Sequence, residues 1–181
     1  MDKQQVFDEL LIIKCQEGNA KAFELFIKRW NQKLIYFIYG FTHDIEAARD
    51  VAQETWIAVH KGIYKLQETN KYRTWLYRVA HNKAMDHIRA NKRRVPTETI
   101  SEEITRIQQP DQSTVKLDID TLLGQLPEKY KVVLTLFYRE KQSIKDIATI
   151  MSIPEGTVKS RIFHAREYLK KNIKIIHNET Y

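Results

Sequence analysis

Cysteine occurs once in the 181 residues, at Cys15, which excludes an intrachain disulfide and a metal site built from several thiolates. Five glycines and four prolines are too few to punctuate the turns of a many-stranded β protein. The glycines stand far apart and form no phosphate-cradling loop. The six histidines include no pair four residues apart and no HExxH motif. His81 and His87, with Asp86 between them, lie largely off a common helix face, so no metal is expected. No apolar run approaches the roughly 20 residues that span a bilayer. Acids interrupt the apolar positions of MDKQQVFDELLIIKCQEG, which lacks the apolar heart of a secretory signal. These absences lead to the expectation of a cytoplasmic protein without cofactor or metal, with Cys15 in the core.

Positive charge is present in excess. The formal net charge is +7, which suits a polyanionic partner. Residues 1–94 carry 17 Lys and Arg against 11 Asp and Glu, residues 95–121 carry 2 against 6, and residues 122–181 carry 11 against 6. Two basic blocks thus flank an acidic middle. The middle block holds Pro96 and Pro110, is rich in Thr, Ser, Gln and acids, and lacks sustained periodicity, so it reads as a linker. Hydrophobic periodicity predicts four helices before it, over about 4–15, 20–40, 45–64 and 71–93, with Asn19 as a cap for the second. The expected fold is all-α: two small helical domains, 1–94 and 122–181, joined by a flexible linker over 95–121.

The sharpest local pattern is SIKDIATIMSIPEGTVKSRIFHAREYLKK, Ser143 to Lys171. Ile144, Ile147, Ala148 and Met151 make one buried stripe. Ser152 to Gly156 breaks the chain, and Val158, Ile162, Ala165 and Leu169 make a second stripe. Two short helices around a tight turn, the second basic, describe a helix-turn-helix. At about 100° per residue, the second helix presents Lys159, Ser160, Phe163, His164 and Glu167 outward, flanked by Arg161 and Arg166. Such residues reach base edges and phosphates in a major groove, and an exposed Phe163 suits a thymine methyl. A merely solvated hairpin is the alternative, and it leaves Phe163 without a purpose. Upstream, LPEKYKVVLTLFY opens with Pro127 in a first-turn position and packs through Val132, Val133, Leu136 and Phe137.

In the first block, DIEAARDVAQETWI (Asp44 to Ile57) resembles the polymerase-binding helix of sigma factors. YRTWLYRVAHNKAMDHIR (Tyr72 to Arg89) resembles their promoter-melting segment, and LPEKYKVVLTLFY with SIPEGTVKSRIFHAR is similar to their terminal domain. With both motif sets in family order and no further sigma domains, the chain is identified as a member of the small extracytoplasmic-function group of the sigma-70 family. The resemblance implies a transcription initiation factor that binds core RNA polymerase through the clamp helices of its largest subunit, and that binds promoter DNA. Membership also implies an anti-sigma factor as a partner. Glu46, Asp50, Gln53 and Glu54 form one polar stripe opposite Ala48, Val51, Ala52 and Thr55, and like charges at four-residue spacing call for a basic partner surface. Arg49 stands where the family often has an acid. Tyr72, Arg73, Trp75, Arg78, Asn82 and Arg89 are assigned to the unpaired strand of the downstream element, where aromatics stack bases and cations follow phosphates. Trp75 has a core role open to it as well, and Lys92-Arg93-Arg94 reads either as a phosphate-contacting or as a solvated helix end. Pro154, Gly156, Thr157, Lys159, Ser160, Arg161, Phe163, His164 and Arg166 are assigned to the upstream duplex element.

Two other classes remain to be weighed. A one-component regulator would need only the helix-turn-helix, and binding to core polymerase discriminates against it. An enzyme would need a catalytic cluster, which the scattered histidines and the lone Cys15 do not supply. His164 stands where many relatives place Arg, and a neutral imidazole attracts phosphate less than a guanidinium. His164→Arg is expected to strengthen duplex binding at low salt in a titration; unchanged affinity would show that residue 164 does not face DNA.

Overall fold

The computed structural model describes residues 3–94 and 126–178, and every regular element among them is helical. The expected linker lies outside the described residues. The first unit holds α1 (Lys3–Gln16), α2 (Ala20–Thr42), α3 (Ile45–Gly62) and α4 (Tyr72–Arg94), with short 3-10 turns at Ile63–Lys65 and Thr69–Lys71. The second holds α5 (Glu128–Leu134), which runs into a π-helical turn at Thr135–Arg139, then α6 (Ile144–Met151) and α7 (Glu155–Asn178).

Polar side chains set the helix starts. The Asn19 side chain accepts from the Ala22 N–H at 3.1 Å and heads α2, and Asp44 accepts from Glu46 N–H at 2.9 Å and heads α3. Each satisfies a donor that the first helical turn leaves unpaired. Between these caps His43 takes a left-handed conformation, φ 55°, and closes α2. The first core is aromatic. Phe26, Trp30, Phe37, Tyr72 and Tyr77 are buried, and Trp30 meets Tyr72 and Tyr77 edge to face at 5.5 and 6.2 Å. Cys15 is buried as expected, and burial pushes its thiol up to about 11.

At one end of that core lies a carboxylate. Asp8 is 2% exposed; it accepts from Arg29 Nε at 2.7 Å and from the Tyr72 hydroxyl at 2.7 Å. Arg73 Nε donates in turn to the Tyr72 oxygen at 2.9 Å. The network ties α1 and α2 to the first turn of α4.

In the second unit Pro127 stands at the cap of α5, just outside the helix, rather than in its first turn. Ser143 caps α6, and Ser152, left-handed at φ 54°, ends it. The Ile153 N–H donates to Ala148 O at 3.1 Å, closing the tight turn, and Ile153 packs half-buried on the core. Val158, Ile162 and Ala165 are buried, so the helix-turn-helix forms as the spacing predicts.

The two units pack together. A Cβ built on Gly40 would lie 3.0 Å from Val132 Cγ2, so the missing side chain lets α2 approach α5. Glu140 and Gln142, both buried, carry the polar part of the contact. Lys33 Nζ lies 3.5 Å from Glu140 Oε2, and Thr74 Oγ1 donates to Gln142 Oε1 at 3.1 Å. The Tyr77 hydroxyl also hydrogen-bonds Glu140, and burial, then the neighbouring carboxylate, raise its pKa.

Breaking a buried ion pair by deleting one partner costs roughly 3 kcal/mol, and losing one hydrogen bond to a charged group about 1.5 kcal/mol. Asp8→Ala is therefore expected to lose most of the larger figure in urea unfolding, and Tyr72→Phe the smaller one. Equal losses from the two variants would show that Arg29 gains nothing from Asp8.

Candidate polymerase and nucleic-acid interfaces

On α3 the structure separates polar from apolar as the sequence predicts. Ala48, Val51, Ala52 and Thr55 are buried, and Glu46, Asp50, Gln53 and Glu54 are exposed. Arg49 Nη1 pairs with Glu46 Oε1, and Lys83 Nζ lies 3.7 Å from Glu54 Oε2. Asp50 makes no ion pair among the described residues. Such exposed pairs add little stability, so the stripe stays available. In line with it, at its C-terminal end, sits a residue that sequence reasoning passed over: Ile57, 58% exposed, one turn beyond Gln53. The same 100° arithmetic that grouped the acids finds it.

Along α4, Arg78, Asn82 and Arg89 are exposed on one face, while Leu76, Ala80 and Ala84 are buried on the other. Arg89 pairs with Asp86 at 3.2 Å. Trp75 is half-buried, its ring edge against Gly62, where an added Cβ would come within 3.2 Å. One edge of the indole is thus committed to packing. One expectation on this helix needs correction. Tyr72 is fully buried with its hydroxyl spent on Asp8 and Arg73, and presents nothing to DNA. Arg73 is half-buried, its Nε bonded to that hydroxyl and its guanidinium 5.6 Å from the Trp30 ring centroid. The connection before them is braced from α1, where Gln16 Nε2 donates to Ile63 O at 2.9 Å and Leu66 O at 2.8 Å.

In α7 four of the five residues expected to face outward are exposed, and Glu167 is half-buried. Phe163 is 60% exposed and meets His164 edge to face at 5.5 Å. Lys159, Ser160, His164 and Arg166 are exposed, as are Pro154 and Gly156 in the turn and first residues of the helix, whereas Thr157 and Arg161 are half-buried. The Ser160 hydroxyl donates back to Thr157 O at 3.0 Å.

Comparison with known proteins settles the family. The sigma-70 region 2 model matches residues 26–94 and the sigma-70 region 4 model residues 116–169. The RNA polymerase sigma-H factor of Pseudomonas aeruginosa is 34% identical over 92% of this chain and 94% of that protein. The ECF RNA polymerase sigma factor SigW of Bacillus subtilis is 31% identical, over 90% and 95%. The chain belongs to the sigma-70 family, among its ECF members. Solved structures share the fold of this sigma factor. The sigma factor RpoE, in complex with the anti-sigma factor NepR from Bartonella quintana, aligns with TM-score 0.63 at 21% identity, over 86% of this chain and 99% of that one. CnrH, in complex with the cytosolic domain of CnrY, aligns at 0.58 and 21%, over 93% and 98%. As a sigma factor the chain directs transcription initiation by RNA polymerase.

Where the two units of the sigma factor meet, a crevice of about 760 Å3 is lined by Asn82 and Arg89 of α4, Arg161 of α7, and His81. His81 is buried, and its Nδ1 finds no hydrogen-bond partner. Burial, chiefly, holds its pKa below the ordinary value, with Arg89 adding to the effect. The folded chain keeps the imidazole neutral, while the unfolded chain takes up a proton below about pH 6.5. The folded state then binds fewer protons, so stability falls as pH drops through that value toward the depressed one, and His81 adds no pH dependence above it. The thermal midpoint is expected to fall less between about pH 7 and pH 5.5 in His81→Gln than in the parent chain. Parallel curves would place the proton elsewhere.

Proposed function

We propose that this sigma factor works entirely by binding, with no catalytic residue, and acts in the cytoplasm on core polymerase and promoter DNA. Residues 1–94 dock on polymerase through Glu46, Asp50, Gln53 and Glu54, with Ile57 as the apolar anchor, against a basic surface such as the clamp helices of the largest subunit. The same unit captures the unpaired strand of the downstream promoter element through Arg78, Asn82 and Arg89 and the free edge of Trp75. Residues 122–181 read the upstream element as duplex, with α7 in the major groove. Lys159, Ser160, Phe163 and His164 approach the bases, and Arg161, Arg166 and the turn at Pro154, Gly156 and Thr157 approach the backbone. Capture of unstacked bases offsets the cost of unpairing, which is why melting requires no chemistry. Residues 95–121 connect the two readers.

The observation that carries this reading is the division of labour within one small helical unit. An acidic stripe on α3 and a cationic, amide-bearing stripe on α4 are both exposed, and they lie on different helices of a net basic chain. One face repels DNA while the other attracts it. We infer an anti-sigma factor as a further partner. Support comes from the fold shared with RpoE, whose solved complex contains the anti-sigma factor NepR.

Run-off transcription from a genomic fragment library, with purified core polymerase with and without the chain, tests the whole reading. New transcripts preceded by two spaced motifs are expected, and their absence despite core binding would refute strand capture. Asp50→Arg places a cation amid the docking stripe and is expected to weaken core binding at least tenfold, or about 1.4 kcal/mol, while leaving duplex binding intact or stronger. Undiminished core binding would move the polymerase interface off α3.

A further inference from the structure

Arg166 lies at the edge of α7, between the face buried in the second unit and the face assigned to the groove. Its guanidinium is already engaged. Nε donates to the Tyr138 hydroxyl at 2.8 Å, and the group lies over the Tyr138 ring, 5.6 Å from its centroid. Tyr138 is 56% exposed. Its ring is held edge to face by Phe137 at 5.0 Å, and Phe137 packs on the core. The π-helical turn sets this arrangement. Glu140 N–H donates to Thr135 O, five residues back, at 3.0 Å, and the wider turn sends Tyr138 toward α7 and Arg139 toward Tyr36, whose ring it overlies at 5.2 Å. A π turn is an uncommon departure from the helical period and frequently marks a functional site.

The choice of partner is informative. A carboxylate beside Arg166 would neutralise it, whereas a phenol accepts from Nε and leaves the full positive charge and both Nη groups for another acceptor. No acid pairs with Arg166 among the described residues. We propose that Tyr138 is a positioning residue for Arg166: it holds the guanidinium beside the recognition helix, ready to bind a DNA backbone phosphate. Fixing the side chain beforehand removes the rotamer freedom that a free arginine would lose on binding. The proposal rests on the reading of α7 as the groove helix.

The test uses the full chain and a short fluorescent duplex of mixed sequence, since a phosphate contact is blind to base identity. Affinity is measured by anisotropy across a range of salt concentrations. Arg166→Ala is expected to flatten the slope of log K against log salt by about 0.9, the value for one lost phosphate contact. Tyr138→Ala is expected to weaken binding several-fold, and Tyr138→Phe, which keeps the ring but loses the acceptor, to weaken it less. In an Arg166→Ala background Tyr138→Ala should cost nothing further. Both residues are exposed, so thermal melts should be unchanged.

An equal loss from Tyr138→Ala in both backgrounds would mean that tyrosine touches DNA itself, and no loss in either would mean that Arg166 needs no support. Either result overturns the proposal. An unaltered slope in Arg166→Ala, with a flattened one in Arg161→Ala, would overturn it while sparing the groove reading. If Arg161→Ala also binds unchanged, the assignment of α7 to DNA fails first.

Discussion

Asp8 governs where α4 begins, and most of the first unit's working surface follows from that. A carboxylate only 2% exposed has to be matched by donors, because burying it unmatched costs several kcal/mol. Arg29 supplies one donor from α2 and Tyr72 another from the first residue of α4. With Tyr72 pinned, helical periodicity leaves no freedom to the rest of α4. Leu76, Ala80 and Ala84 fall inward, and Arg78, Asn82 and Arg89 fall outward on one stripe. The residues assigned to DNA touch none of this network, yet their direction depends on it.

Electrostatics then sorts partners. A net charge of +7 draws the whole chain toward nucleic acid, with an attraction that salt screens. The acids of α3 oppose that pull locally, and Arg49 and Lys83 temper their mutual repulsion without covering Asp50. Ile57, exposed beside them, would be an unwelcome patch on a surface that met only water. In a docking face it adds desolvation energy that charge alone does not supply.

Features that depend on local spacing were legible before any coordinates. The cap at Asn19, the buried stripe of α3 and the helix-turn-helix all follow from residues within a turn or two of one another. Features created by distant partners were not. Tyr72 sits among arginines and a tryptophan in YRTWLYR, a setting that reads as a strand-binding surface; only its bond to a residue 64 positions earlier shows it to be core. The π turn has no periodic signature in TLFYR, because its energetic reason lies in what Tyr138 and Arg139 reach afterwards. The contact between the two units is equally silent. Glu140 and Gln142 look like ordinary surface residues until Lys33 and Thr74 are placed beside them.

Gly40 makes that contact sensitive to a single atom. The position is helical and would tolerate alanine on backbone grounds, yet a methyl carbon there would stand 3.0 Å from Val132 Cγ2. The side chain works as a gauge block of zero thickness between α2 and α5, and any other residue would be a shim. Because a shim enters at the seam rather than within either unit's core, the strain of one added carbon falls first on the fit between the two readers of DNA, at Val132, before it reaches the packing of either one.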